Sequence, residues 1–139
     1  MYPVSAVVAS REVMSVFNPG DHGSTFGGNP LASAVAIEAL NVIIEEKLAE
    51  NSAEMGQLLL NELGKIKSIH IQEVRGKGLF VGVEIKKSSG TARPFCDQLM
   101  KLGVLAKETH GQVIRLTPPL IIKKNEIEML VEKMYEVLK

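Results

Sequence analysis

Residues 31–48 narrow the folds open to this chain more than any other segment. They follow Asn29-Pro30, a pair typical of a helix start, with Asn29 as N-cap and Pro30 at the first helical position. The segment is rich in Ala, Leu and Ile, and its apolar residues cover most of the helical circumference before Glu45. A helix this widely apolar is usually buried on more than one side. We therefore expect a helix that needs neighbours on several sides.

The remaining patterns predict short elements of both kinds. The valine-rich run of residues 4–9 predicts a buried strand, and residues 11–17 predict a short helix. From residue 52 onward, helices and strands alternate in the pattern of a small α+β domain. The predicted helices there are 52–66, 94–102 (ended by Gly103 as a left-handed C-cap) and 125–138; the predicted strands are 69–74, 79–85, 104–107 and 113–117.

The first 50 residues fit this small domain poorly. A lone buried strand and a widely apolar helix need packing partners that the pattern does not supply. We therefore predict a mixed α/β chain in two parts, residues 1–50 and residues 51–139.

Composition excludes several classes of function. Sixteen basic residues balance sixteen acidic ones, so no basic surplus favours nucleic-acid binding. No apolar run is long enough for a membrane span, and the start of the chain lacks the basic region of a signal peptide. Cys96 is the only cysteine, so we expect no intrachain disulfide and no zinc site, and we interpret Cys96 as a small apolar residue packed on a helix. These features predict a cytoplasmic protein.

A glycine-rich loop, His-Gly-Ser-Thr-Phe-Gly-Gly-Asn-Pro at residues 22–30, leads directly into the apolar helix. Its glycines allow close backbone approach, and the hydroxyls of Ser24 and Thr25 lie beside a helix N-terminus. Such a combination can bind a phosphate group. It lacks the sequences of a Walker A loop and of GxGxxG. The alternative is a glycine-rich turn with Ser/Thr capping.

Arg115 lies in the apolar strand segment Val-Ile-Arg-Leu-Thr, just before Pro118-Pro119. A guanidinium cannot lose its charge, so an arginine in apolar company favours an anionic partner. A carboxylate held by two hydrogen bonds fits this geometry best. The alternatives are a structural pair with Asp or Glu and an edge-strand arginine that reaches water. In a second basic segment, Arg75-Gly76-Lys77-Gly78, a structural turn is favoured over a phosphate contact.

Four segments resemble the class III aminotransferases. The glycine-rich loop of residues 22–30 resembles their phosphate motif, and residues 75–79 (RGKGL) resemble the turn that opens their small domain. Residues 106–120 (AKETHGQVIRLTPPL) resemble their substrate-carboxylate segment, and residues 2–7 (YPVSAV) resemble the stretch after their cofactor lysine. Thr109-His110-Gly111 points to the ornithine branch of the family, with the acetylornithine and 4-aminobutyrate branches as alternatives.

The resemblance implies a fold-type I, pyridoxal-phosphate-dependent homodimer. In that family Ser24 and Thr25 would contact the phosphate of pyridoxal phosphate (PLP), on a loop that reaches the cofactor bound mainly by the other subunit. Arg115 would bind a carboxylate of 2-oxoglutarate or glutamate. Residues 1–50 would be the tail of the large cofactor domain, and residues 51–139 the C-terminal small domain.

The reaction implied by the resemblance moves the δ-amino group of ornithine to 2-oxoglutarate and yields glutamate and glutamate semialdehyde. The family's Schiff-base lysine would lie a few residues upstream of Met1, and none of the twelve lysines matches it. We therefore assign no catalytic residue and expect the chain alone to be inactive. The competing hypothesis is a non-catalytic module for dimerisation or binding, with residues 31–44 as its interface.

Overall fold

The computed structural model describes residues 3–139; Met1 and Tyr2, which belong to the family-like start, lie outside the described residues. The chain divides into two compact units, the first ending at Glu46 and the second spanning Lys47–Lys139. The division falls a few residues before the boundary predicted from sequence. The division coincides with Lys47, whose φ of 53° is left-handed and interrupts the helical path between residues 45 and 48.

The first unit contains two helices, α1 (Arg11–Met14) and α2 (Pro30–Glu45). The predicted N-cap is confirmed, since the side chain of Asn29 accepts a hydrogen bond of 2.9 Å from the amide of Ala32. The strand predicted at residues 4–9 is wrong. Val7 and Val8 are 84% and 94% exposed, and no strand of residues 3–46 is present to pair with this run. An extended segment without a ladder partner gains no strand hydrogen bonds.

Helix α2 is mostly exposed among residues 3–139, in keeping with the sequence observation that the pattern supplies no packing partners for it. Ala32 is its only buried residue. Its larger apolar side chains remain substantially exposed, among them Leu31, Ile37, Leu40 and Ile44. Neither α2 nor any other helix of residues 3–139 combines the length and hydrophobicity needed to cross a membrane. The first unit therefore leaves most of the apolar surface of α2 uncovered.

The second unit is a four-stranded antiparallel sheet with helices on one face. The strand order is β1-β2-β4-β3. Helices α3 and α4 pack against the sheet, and α5 packs against both helices. The elements are α3 (Leu48–Gly64), β1 (Ile71–Lys77), β2 (Phe80–Ile85), a 3-10 turn (Lys87–Ser89), α4 (Arg93–Lys101), β3 (Lys107–Thr109), β4 (Val113–Leu116) and α5 (Lys124–Leu138).

The core of this unit follows the predicted periodicities. Strand β2 alternates as expected, with Val81, Val83 and Ile85 almost completely buried. The predicted apolar stripes of α3 and α5 also face the core, and Gly103 has the predicted left-handed conformation, with φ 83°. Several boundaries differ: α3 begins before residue 52, the strand predicted at 69–74 lies at Ile71–Lys77, and the strand predicted at 104–107 lies at Lys107–Thr109. Sequence pattern thus fixed the faces better than the ends.

The hairpin between β1 and β2 is tighter than the predicted turn. Lys77 pairs with Phe80, so Arg75 and Gly76 continue the strand and the loop is only Gly78-Leu79. Gly78 has φ 53°, which favours glycine, and the turn lies directly against α3. A Cβ atom built on Gly56 would lie 2.1 Å from the carbonyl oxygen of Gly78. Gly56 is therefore the residue that lets helix and hairpin approach.

We expect Gly56→Ala to lower the free energy of unfolding by about 1–3 kcal/mol or more, because an added methyl group would collide with backbone that cannot rotate away. Gly64→Ala, in the same helix, is the matched control: its Cβ would meet nothing within 4 Å. We expect the control to be neutral or stabilising by up to about 1 kcal/mol. Urea unfolding of both variants measures the difference, and equal stability would contradict the close approach.

Candidate functional site

A row of residues crosses the outer face of the sheet, away from the core. The register pairs Arg75 with Gly82, Gly82 with Arg115, and Arg115 with Lys107. Directly paired residues point to the same side of a sheet. The row therefore places three cationic residues on one face, with a glycine between the two arginines.

Arg75 is neutralised by one carboxylate on its own strand, β1, and one on the neighbouring strand, β2. Its guanidinium donates hydrogen bonds to Glu73, at 2.8 Å, and to Glu84. The hydrogen bond to Glu84 is the main cause that raises the pKa of Arg75 above its ordinary value. Arg75 thus has a structural pairing, in keeping with the structural role favoured from sequence, although it lies in a strand and not in the turn.

Arg115 is in the opposite situation. Among residues 3–139 its guanidinium has no ion pair, and its Nε atom is buried with no hydrogen-bond partner. A buried polar nitrogen without a partner costs free energy. The structural Arg–Asp/Glu pair weighed from sequence is therefore absent from the described chain. An anion supplied from outside these residues would satisfy the group.

The guanidinium of Arg115 borders an open pocket of about 450 Å³ on this face of the sheet. Apolar walls come from Phe80 and Val113, and Gly82 lies between the two arginines in the pocket floor. His110 lines the rim. The pocket combines the unpaired guanidinium of Arg115 and the cationic side chain of Lys77 with apolar walls, which suits a carboxylate carried on a short aliphatic chain.

The loop at the rim is held in an uncommon backbone conformation. His110 has φ 51° and Gly111 has φ 76°. The amide of Gly111 donates to Glu108 at 2.6 Å, and the side chain of Gln112 donates to the carbonyls of Ile85 and Gly90 at 2.9 Å each. These contacts fix the β3–β4 turn and with it the position of His110.

The glycine-rich loop forms part of the first unit. Ser24 and Thr25 are both exposed. The hydroxyl oxygen of Ser24 accepts a hydrogen bond of 3.1 Å from the amide of Gly27, as the capped-turn interpretation expects. Thr25 has no hydrogen-bond partner among residues 3–139. The loop is thus partly closed by Ser24, and the hydroxyl of Thr25 remains available.

Cys96 behaves as predicted. It is buried on α4 within the core, and desolvation by burial raises the pKa of its thiol. A raised pKa keeps the thiol neutral and unreactive near neutral pH. Cys96 is therefore a packing residue and not a nucleophile.

Two residues of the pocket, Phe80 and Gly82, were not singled out from sequence. The alternation of β2 already implied that residues 80, 82 and 84 face away from the core. Their proximity to Arg115 depends on the pairing of β2 with β4, strands far apart in sequence. No local signal gives that register.

Comparisons with known proteins agree on one family. The model described as "Aminotransferase class-III" matches residues 2–138. The ornithine aminotransferase of Geobacillus sp. (strain WCH70) is 53% identical over 137 residues, which are 99% of this chain and 34% of that protein. The chain therefore spans about a third of the length of the curated relatives it matches.

Solved structures show the same similarity. The acetylornithine aminotransferase from Elizabethkingia anophelis aligns with a TM-score of 0.87 at 44% identity, covering 99% of this chain and 37% of that chain. The ornithine aminotransferase from Toxoplasma gondii, which has partial occupancy of PLP at its active site, aligns with a TM-score of 0.83 at 39% identity, covering 91% and 30%. The predicted fold class is thereby confirmed.

We expect Arg115→Met to change the free energy of unfolding by no more than about 1 kcal/mol, because the guanidinium makes no hydrogen bond that the variant would lose. Ile114→Ala is the neighbouring control: Ile114 is fully buried on the inner face, and its truncation should cost about 2–5 kcal/mol. Urea unfolding compares the two. A loss of several kcal/mol for Arg115→Met would mean that the guanidinium has a structural partner.

Proposed function

Because the chain belongs to the class III aminotransferase family, we propose that it supplies substrate-carboxylate and cofactor-phosphate contacts to a PLP-dependent transaminase. The reaction we propose is transfer of the δ-amino group of ornithine to 2-oxoglutarate, which yields glutamate semialdehyde and glutamate. The names of the curated relatives support this choice. The observation that carries the proposal is the unpaired guanidinium of Arg115 at an open pocket.

Arg115 would bind a substrate carboxylate through parallel N–H···O hydrogen bonds. The planar guanidinium matches the carboxylate geometry, and its charge is permanent. The binding would give the buried Nε a partner and would hold the 2-oxo acid in one orientation. Arg75 is less suited to this role because its Nη1 already donates to Glu73 and Glu84, whose carboxylates neutralise its charge.

Ser24 and Thr25 would contact the phosphate of PLP. The free hydroxyl of Thr25 fits this role, and Ser24 can still donate its own hydroxyl proton while its oxygen accepts from Gly27. PLP, when bound, supplies the electron sink of the reaction. These residues would hold the cofactor and take no part in bond making.

Family resemblance also guides the assignment of the two parts. We propose that residues 1–50 belong to the large cofactor domain and residues 51–139 to the C-terminal small domain. A homodimer in the cytoplasm completes the proposal. The exposed apolar side chains of α2 support the first assignment, since a surface of this kind is normally covered in the complete protein.

A second candidate donor is N-acetylornithine, favoured by the 44% identity to the acetylornithine aminotransferase from Elizabethkingia anophelis. Donor choice is tested with the polypeptide that contains this chain, by comparing glutamate formation from ornithine, N-acetylornithine and 4-aminobutyrate. A preference for N-acetylornithine would overturn the ornithine assignment and leave the family assignment intact.

We predict that 2-oxoglutarate binds the 139-residue chain at Arg115. Titration followed by NMR should shift the Nε–H resonance of Arg115, because the carboxylate gives this donor its missing partner. Arg115→Met lacks this resonance, so its binding is followed through the backbone amides of Gly82 and Val113. It should weaken binding by about tenfold or more, the size of a lost charge-assisted hydrogen bond.

Arg93→Met provides the charge-matched control. Arg93 is exposed on α4 and pairs with Asp97, and it does not line the pocket. The substitution therefore removes one positive charge and leaves the pocket unchanged. Its affinity for 2-oxoglutarate should equal that of the unmodified chain. An equal loss in both variants would show that net charge, and not Arg115, attracts the anion.

A further inference from the structure

We propose that Gly82 is a specificity-determining position of the Arg115 pocket: its missing side chain leaves the space in which the ligand's carbon chain lies. This inference rests on the proposed function, because it assumes that a carboxylate binds Arg115. It assigns a role to a residue that has no side chain and that the sequence pattern alone does not single out.

Other requirements for glycine do not apply at position 82. Gly78 needs its left-handed φ, and Gly56 needs its lack of a Cβ because of the Gly78 backbone. Gly82 has an ordinary strand backbone, which any residue can adopt. A Cβ there would meet only Cγ1 of Val113, at 3.1 Å, and the carbonyl oxygen of Arg75, at 3.9 Å.

A glycine inside a strand weakens the strand by roughly 0.5–1 kcal/mol relative to alanine, and it often marks a place where a ligand or another backbone comes close. The nearest backbone atom of another residue is the carbonyl oxygen of Arg75, at 3.9 Å, and the one tight neighbour of this Cβ position is Cγ1 of Val113, which would have to move by a few tenths of an ångström. Apart from this single side-chain contact, close approach of a ligand is the explanation that we infer for the glycine.

The position of Gly82 suits this explanation. It lies directly between Arg75 and Arg115 in the row, and Cβ atoms of paired residues are about 4.5–5.5 Å apart. Any side chain at residue 82 would therefore rise from the pocket floor beside the guanidinium of Arg115. It would occupy the volume next to a bound carboxylate without touching the charge itself.

The walls indicate the class of ligand. Phe80 is 63% exposed and Val113 is partly buried, and both line the pocket on either side of Gly82. Arg75 is neutralised by Glu73 and Glu84, so Arg115 and Lys77 are the cations lining the pocket that have no carboxylate partner among residues 3–139. The matching ligand is a carboxylate that continues into a short carbon chain, such as 2-oxoglutarate with its two methylene groups, and not a small inorganic anion.

The experiment compares a long and a short carboxylate on the 139-residue chain. The probes are 2-oxoglutarate and formate, and the readout is the Nε–H resonance of Arg115. Gly82→Val adds an isopropyl group and should weaken 2-oxoglutarate binding by more than about tenfold, since even one misplaced methylene in a binding pocket costs about that much. Formate, which needs no room beyond the guanidinium, should bind with nearly unchanged affinity.

Gly82→Ala should weaken 2-oxoglutarate binding by a smaller factor and likewise leave formate binding nearly unchanged. This variant tests the inference if the valine variant does not fold. Gly64→Ala is the matched control, because it adds the same methyl group at an open position far along α3. It should leave both affinities unchanged.

Three outcomes would overturn the inference in different ways. Unchanged 2-oxoglutarate binding in both Gly82 variants would show that the space is not used. An equal loss for formate and 2-oxoglutarate would show that residue 82 acts by disturbing Arg115. If the unmodified chain shows no response of Arg115 to either probe, the proposed carboxylate site itself fails, and the inference fails with it.

Discussion

The second unit depends on the alternation of β2, which buries one face in the core and turns the other face outward while it pairs with β1 and β4. Val81, Val83 and Ile85 enter the core beneath α3 and α4, so the residues between them must face outward. A slip of one residue would expose the core residues and bury polar ones. Burial of the inner face therefore fixes the register, and the register alone brings Gly82 beside Arg115 on the other face.

The two arginines of the outer row share one face of the sheet but differ in their chemistry. Arg75 and Arg115 lie in the two strands that flank β2, and each is paired directly with Gly82. Glu73 and Glu84 satisfy Arg75, whereas no described residue satisfies Arg115. A paired arginine stabilises its surroundings, and an unpaired one beside a pocket is poised to bind an anion.

Short motifs carried the family resemblance, and the comparisons confirmed it. The glycine-rich loop and the strand around Arg115 are specific because each combines backbone requirements with a small number of polar groups. Patterns without such groups were less reliable. The valine-rich run of residues 4–9 had strand composition but no partner strand, and α2 had the composition of a buried helix but remains exposed within the described chain. The composition of a segment indicates that it needs a pairing strand or a covering surface, but the packing partner has to come from other parts of the polypeptide.

The sequence by itself determined the helix start at Asn29, the apolar faces of β2, α3 and α5, the left-handed Gly103, and the candidate residues Ser24, Thr25 and Arg115. These follow from local rules of capping, periodicity and charge, which act over a few residues. Tertiary structure decided that Arg75 is paired, that Arg115 is not, and that Gly82 lies between them. Those facts depend on contacts between β1, β2 and β4, because strand register is set by core packing and not by the residues next in the chain.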